Sequence, residues 1–408
     1  MRYDVLIVGA GHGGAQAAIA LRQQGFAGTV ALAGNETELP YERPPLSKDY
    51  LSGKKPFERI LIRPAEYWAE RDIALLPGRH VAAVDPEARE AVMQDGSRLG
   101  YGALVWAAGG NARRLACPGH GLEGVHTLRS RADVDRMVGE LPSVGRVAVI
   151  GGGYIGLEAA AVLTDLGKRV TVLEAQDRVL ARVAGEPLSR FFEAEHRARG
   201  VDVRLGVAVS GLEGDGRVSG VRLGDGALLP AGMVLVGIGI SPAVAPLLDA
   251  GAAGGNGVEI DAQCRTSLPG IYAIGDCVLQ SSPFAGGAPV RIESVQNAND
   301  QAAAVAKEIA GSPAEHRAVP TFWSHQYDLR LQTVGLSGGS DGHVLRGDPA
   351  ARSFSVVYLR EGRVIALDCV NAMRDYAQGR ALVVAGRPCN PAALADTGVP
   401  LKTLAGQA

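Results

Sequence analysis

Apolar and polar positions along the chain follow two periods in turn. The run Tyr3-Asp4-Val5-Leu6-Ile7-Val8 is short, apolar and β-branched, as in a buried strand, and the residues from Ala15 to Gln24 carry apolar side chains at helical spacing. Strand character returns from Thr29 to Ala33. The same succession of strand, Gly-rich turn, helix and second strand recurs from Arg146 to Ala175, so the pattern predicts two βαβ units. A mixed region follows each, where Asp95-Gly96 and Asp225-Gly226 read as hairpin turns. Beyond Val334 the rhythm becomes alternating, in Ser353 to Leu359 and Arg363 to Val370, before a helix predicted from Arg374 to Ala385. These stretches predict a third, α+β domain. Gly251 to Gly257 reads as a flexible loop.

Composition narrows the class. A chain of 408 residues implies two or three domains, and no apolar run approaches the roughly 18 residues of a membrane span. The strand at Tyr3 leaves no room before it for an export signal, so a cytoplasmic protein is expected. The formal net charge of −2 gives no reason to expect nucleic acid. Cys117, Cys264, Cys277, Cys369 and Cys389 are widely spaced, with no CxxC metal knuckle and no redox pair, so neither a metal site nor dithiol chemistry is expected.

The candidate chemistry lies in the two Gly-rich turns. In Gly9-Ala10-Gly11-His12-Gly13-Gly14 the first Gly permits a tight turn, the second lets the backbone approach a pyrophosphate, and the last packs helix on strand. The helix N-terminus then faces the anion. Either Asn35 or Glu36, just past the second strand, would face a ribose hydroxyl.

The second turn, Gly151-Gly152-Gly153-Tyr154-Ile155-Gly156, follows the strand Val147 to Ile150 and precedes a helix predicted to begin near Leu157. Its next strand, Val170 to Leu173, ends at Glu174, where a carboxylate would accept from the adenine ribose 2′-hydroxyl and repel a 2′-phosphate. That favours NADH over NADPH, although Arg178 and Arg182 nearby leave room for some NADPH use. Two dinucleotide cradles in one chain suit hydride exchange between a nicotinamide and a flavin.

Further segments appear in a fixed order: Pro44-Pro45-Leu46-Ser47-Lys48, Ala107-Ala108-Gly109-Gly110, Glu158 after the second cradle, Val236-Gly237-Ile238-Gly239, Tyr272-Ala273-Ile274-Gly275-Asp276, Phe322-Trp323-Ser324, Val370-Asn371 and Pro400-Leu401-Lys402. Together they resemble the FAD-dependent ferredoxin reductases that serve bacterial cytochrome P450 and Rieske dioxygenase systems, over nearly the whole chain. The resemblance implies an α/β fold of two Rossmann-like dinucleotide-binding domains in a glutathione-reductase-like arrangement, plus a C-terminal α+β domain. Residues 1–112 and 244–319 would bind FAD, 113–243 NAD, and 320–408 would complete the flavin pocket.

The resemblance also assigns roles. Asp276 would bond the ribityl or pyrophosphate region of FAD, or cap a helix, and Val295 would bring backbone to the isoalloxazine edge. Arg43, Pro45, Val81, Ala108, Gly109 and Arg129 are further FAD contacts, and Ile155 and Gly239 further NAD contacts. Lys48 is expected near flavin N5, where an ammonium favours the charge of the reduced form. Glu158, on the first helical turn, is expected to pair with Lys48, and Tyr154 either gates the nicotinamide side or packs between domains. Trp323 would lie beside the flavin where a ferredoxin approaches. Asn35, at a position commonly acidic, and Ala108-Gly109, in place of an Ala-Thr-Gly turn, depart from the family pattern.

The function implied is hydride transfer from NADH to FAD, then single electrons to a 2Fe-2S ferredoxin with an acidic face, which feeds a P450 or Rieske oxygenase. The rivals are an NADH oxidase or other small-molecule reductase of the same architecture, and an NADH-responsive flavin redox sensor.

Overall fold

The computed structural model describes residues 1–405. Contacts divide the chain into two compact units, one of residues 1–43, 57–111 and 241–320, the other of 44–56, 112–240 and 321 onward.

In the first unit, β1 (Arg2–Val8) lies between β2 (Val30–Ala33) and β6 (Arg98–Trp106), parallel to both, and β3 (Ile73–Leu76) extends the sheet beyond β2. An antiparallel meander of β4 (Val81–Asp85) and β5 (Glu90–Met93) joins β6 on its other side. The turn between β5 and β6 holds Gly96 at φ 81°, the left-handed geometry read from Asp95-Gly96. Val5 and Ile7 pack into a core shared with α1 (His12–Gln23) and the helix Val295–Ile309, whereas Leu6 and Val8 pack with Leu104 and Trp106 into a second core on the opposite face. Because both faces are covered, β1 reads as a continuous apolar run. Burying each of these side chains stabilises by about 1.5–3 kcal/mol.

The Gly-rich stretch from Gly251 is not a flexible loop. Gly254-Gly255 pairs antiparallel with Gly257-Val258, and the strand Gly257–Ile260 continues parallel to Val278–Ser281. The glycines are there for backbone shape, since Gly257 sits at φ 133° against the Cys277 carbonyl oxygen.

In the second unit, a parallel sheet runs in the order Asp202–Arg204, Arg169–Leu173, Arg146–Ile150, Met233–Val236, Val125–Thr127. The helix after the second cradle spans Tyr154–Asp165, beginning three residues before the expected Leu157 because Gly153 already serves as its N-cap. A five-stranded antiparallel sheet follows, ordered Thr321–Gln326, Leu329–Gly335, Arg363–Val370, Ser353–Arg360, Gly342–Asp348, with the helix Met373–Ala385 packed on it. This sheet starts at Thr321, ahead of the alternation seen beyond Val334. In its first strand Ser324 and Gln326 are buried while Trp323 and His325 are exposed, the inverse of the usual alternation, and so the period is hidden in the sequence. Among the described residues, no helix is long and apolar enough to cross a membrane.

Candidate functional site

The three defining glycines of each cradle play three different parts. Gly9 and Gly151 both sit at φ 109°, and a Cβ on either would strike a carbonyl oxygen of the neighbouring strand end, Ala107 for the first and Gly237 for the second. Gly14 and Gly156 lie so close to the carbonyl oxygens of Gly9 and Gly151 that neither position admits a side chain. Gly11 and Gly153 differ: each is the extended N-cap of its helix, with no side chain capping the helix start. A Cβ on Gly153 would meet nothing within 4 Å, and one on Gly11 would approach only Arg43 Nε, at 3.8 Å. The turn and packing glycines are therefore fixed by the protein, whereas the middle ones leave uncapped N–H groups open to an anion. Both cradles fit a dinucleotide pyrophosphate by this test. Gly13 packs beside Ile274 and Ala298.

In the first unit, Glu36 accepts from Arg43 Nη2 at 2.5 Å and from the Tyr41 hydroxyl at 2.5 Å, while Asn35 is exposed. Burial works against the Arg43 charge, but Tyr41, Glu36 and Asp276 more than offset it, so its pKa lies above the ordinary arginine value. Asp276 lies in the short turn Gly275–Cys277, and its backbone carbonyl accepts from Arg291 Nη1 at 3.0 Å. Ala108 and Gly109, the latter at φ 63°, follow β6 next to the Gly9 turn. Val81 is the buried first residue of β4. Val295 opens the helix capped by Ser294. Tyr41 had escaped the sequence reading, although it stands only two residues before Arg43.

In the second unit, Glu174 closes the turn of its own cradle: Oε2 accepts from Gly152 N at 2.7 Å and Oε1 from Gln176 N at 2.9 Å. Arg178 is tied down by the Ala184 and Ala181 carbonyls and the Ser189 hydroxyl. Ile155 and Gly239 are exposed, with Gly239 at φ 93° beside the Arg182 guanidinium. Arg129 precedes the helix Arg131–Glu140 and donates its backbone N–H to Asp133. The Tyr154 ring lies 4.4 Å from that of Phe322, and burial, with the Asp368 and Glu158 carboxylates adding, holds its hydroxyl protonated well above the usual range.

Lys48 and Glu158, far apart in sequence, meet in this unit. Glu158 is 2% exposed; Oε2 accepts from Lys48 Nζ at 2.5 Å and from the Ser47 hydroxyl at 2.6 Å, and Oε1 accepts from the Ser324 hydroxyl at 2.6 Å. It is the fifth residue of its helix, one turn deeper than the first turn where the sequence placed it, because the helix starts at Tyr154. Three donors thus converge on one carboxylate. The lysine is further fixed by the Pro44 carbonyl at 3.2 Å, and its Nζ stands 5.1 Å from the centroid of the Trp323 ring, within cation–π range. Pro45 is buried in the same short helix, Pro44–Ser47. These contacts explain why residues 44–56 cluster with this unit. Trp323 itself is 40% exposed and lies 5.1 Å from the His325 ring. Ser47 and Ser324 lay within the quoted segments, yet nothing in their spacing singles them out as partners of Glu158.

All five cysteines are free. Burial pushes the Cys277 and Cys369 thiols up to about 12 and raises Cys264 further. Among the described residues, no group of three His, Cys, Asp or Glu side chains is placed to hold a metal.

Residues 3–302 match the family described as "Pyridine nucleotide-disulphide oxidoreductase", and residues 321–405 match "Reductase C-terminal". The chain belongs to the pyridine nucleotide-disulphide oxidoreductase family. This oxidoreductase is 61% identical over 402 residues, 98% of its length and 97% of the relative's, to a ferredoxin--NAD(P)(+) reductase of Sphingomonas sp. It is 59% identical to the 5,5'-dehydrodivanillate O-demethylase ferredoxin reductase subunit of Sphingobium sp., covering 98% of both. Among solved structures it resembles the covalent putidaredoxin reductase-putidaredoxin complex, with a TM-score of 0.95 and 39% identity, covering 98% of this chain and 97% of that one. FAD and a nicotinamide dinucleotide are the cofactors of the family, and the expected fold of Rossmann-like domains with a C-terminal α+β part is the one observed.

Proposed function

We propose that this oxidoreductase is an NADH-dependent ferredoxin reductase. The observation that carries the reading is the Lys48–Glu158 pair beside an exposed Trp323, in a chain with two open dinucleotide cradles and no paired cysteines. FAD, held by the Gly9–Gly14 turn with Arg43 and Asp276, supplies hydride acceptance and release of single electrons. The Gly151–Gly156 turn and Glu174 hold NADH; Glu174 repels a 2′-phosphate, and Arg178, already engaged, offers it no partner. Lys48 places a positive charge, fixed by Glu158, where reduction adds negative charge. Trp323 presents an aromatic surface to the electron acceptor.

The proposed acceptor is a 2Fe-2S ferredoxin that passes electrons to a cytochrome P450 or Rieske oxygenase; the relatives' own names tie them to an O-demethylase, to putidaredoxin and to a p-cumate 2,3-dioxygenase system. The proposed division is 1–112 with 244–319 for FAD, 113–243 for NAD and 320–408 as the C-terminal domain. A reducing cytoplasm suits the free thiols. The test is anaerobic reduction of a purified 2Fe-2S ferredoxin by NADH and the holoenzyme, followed by loss of the oxidised cluster's visible absorbance. Reduction within seconds supports the reading; NADH consumption only in the presence of oxygen, with the ferredoxin left oxidised, overturns it.

A further inference from the structure

Behind the Lys48–Glu158 pair runs a line of buried polar side chains whose donors all point the same way. Ser324, which donates to Glu158 Oε1 at 2.6 Å, accepts from Gln326 Nε2 at 3.3 Å. The Oε1 of Gln326 lies 2.8 Å from His196 Nε2, and His196 Nδ1 lies 3.2 Å from the Tyr327 hydroxyl oxygen. Ser324 and Gln326 are 1% exposed and His196 is 0%. The chain crosses from the helix Glu186–Ala198, which carries His196, to the strand Thr321–Gln326, and ends on the second-turn carboxylate of the helix Tyr154–Asp165. At its outer end the Arg199 guanidinium covers the Tyr327 ring at 4.3 Å and binds Asp328 at 2.9 Å.

Such a line is determined by chemistry at both ends. Lys48 and Ser47 occupy Glu158 Oε2 and leave Oε1 as the acceptor of the Ser324 hydroxyl, so Ser324 donates there and accepts from the Gln326 amide. That sets the amide with Nε2 towards Ser324 and Oε1 towards the imidazole, which must then carry its proton on Nε2 and leave Nδ1 as acceptor. Burial pushes the Tyr327 hydroxyl up to about 12, with a hydrogen bond to Thr164 offsetting part of this, so the hydroxyl stays protonated and can donate to Nδ1. Burial also lowers the pKa of His196, which favours the neutral ring over the imidazolium, in which both nitrogens donate. Aligned donors polarise one another, and the whole line strengthens the last bond, the one on Glu158.

We propose that His196 is a positioning residue for the Lys48–Glu158 pair: through Gln326 and Ser324, its Nε2–H tautomer holds the Ser324 hydroxyl on Glu158, and Glu158 in turn holds Lys48. The inference rests on the proposed role of Lys48 beside FAD, but its structural half stands without it.

The test compares three variants of the holoenzyme, each first checked for native melting: Ser324→Ala, His196→Leu, which fills the site without a donor, and His196→Gln, which returns an N–H near the position of Nε2. The first measurement is the rate at which Lys48 is acylated by an amine-reactive ester, read by peptide mass spectrometry. The second is flavin reduction by NADH in stopped flow with no acceptor, so that it reports even if the acceptor is not a ferredoxin. Loss of one hydrogen bond to a charged group corresponds to about tenfold. Acylation is expected to rise, and flavin reduction to fall, by about that factor in Ser324→Ala. His196→Leu should shift both by several-fold, and His196→Gln should return both to within about twofold of the parent. A His196→Gln protein no better than His196→Leu would reduce the histidine to a space-filler and overturn the proposal, as would histidine 15N shifts showing the proton on Nδ1. Changed acylation with unchanged flavin reduction would leave the positioning intact and overturn instead the role given to Lys48.

Discussion

Lys48 Nζ and Glu158 Oε2 stand 2.5 Å apart, with the carboxylate 2% exposed and the lysine side chain 13%. A buried pair is destabilised mainly by removing one member, because the other charge stays behind. Glu158→Ala is expected to lower stability by about 2–4 kcal/mol, whereas Glu158→Gln, which keeps the shape and one of the two acceptor oxygens, should lower it by about half as much. Both should slow flavin reduction by NADH at least about tenfold in stopped flow.

The cradles predict opposite outcomes for neighbouring glycines. Gly153→Ala adds a methyl that meets nothing in the protein, so its thermal unfolding should match the parent while its NADH dissociation constant rises about tenfold or more. Gly156→Ala forces a methyl against the Gly151 carbonyl and should lower stability by about 1–3 kcal/mol before any ligand is added. Calorimetric unfolding and NADH titration, run on both, separate the two effects.

Glu174, proposed to hold the adenine ribose, also closes its own turn through Gly152 and Gln176. Glu174→Ala should therefore weaken NADH binding about tenfold and raise the NADPH-to-NADH ratio of kcat/KM, because the repulsion of a 2′-phosphate is lost while Arg178 stays held by Ala184 and Ser189 and Arg182 lies beside Gly239. Steady-state kinetics with both coenzymes check it.

Asp368, 4% exposed, accepts from the Tyr358 hydroxyl at 2.6 Å, and Tyr358 in turn accepts from Gly185 N at 3.0 Å. Burial pushes the Asp368 carboxyl up to about 7, and the Tyr358 hydrogen bond offsets only part of this. The folded state thus holds a proton that the unfolded chain, with the ordinary value of 3.8, releases earlier. The associated stability is fully present below about pH 4 and is lost as pH rises to about 7, where the folded protein also ionises. Asp368→Asn keeps the acceptor for Tyr358 and removes the titration. Its urea midpoint should exceed that of the parent at about pH 8 by an amount equivalent to a few kcal/mol, and the gap should close towards about pH 5.

Sequence legibility followed the physics of each feature. Strands covered on both faces and turns that demand Gly are local properties, so β1, both cradles, and the hairpins at Asp95-Gly96 and Asp225-Gly226 could be read directly. The strand Thr321–Gln326 could not, because its buried residues are polar, and they are polar because they serve Glu158 and His196. Gly254-Gly255 looked mobile since glycine carries no pattern; only the pairing partner at Gly257-Val258 orders it. The contacts of Ser47, Ser324 and Gln326 join positions more than a hundred residues apart, beyond the reach of spacing.

The three buried cysteines bear on durability. A thiol reacts with peroxide as its thiolate, and Cys264, Cys277 and Cys369 are held as thiols far above neutral pH and away from solvent. An electron-transfer protein working beside oxygen is exposed to partially reduced oxygen species, and this one keeps its most vulnerable core atoms chemically silent. Ageing under turnover should therefore begin at the half-exposed Cys117 and Cys389, outside the packed interior, and leave the folded framework to outlast its surface.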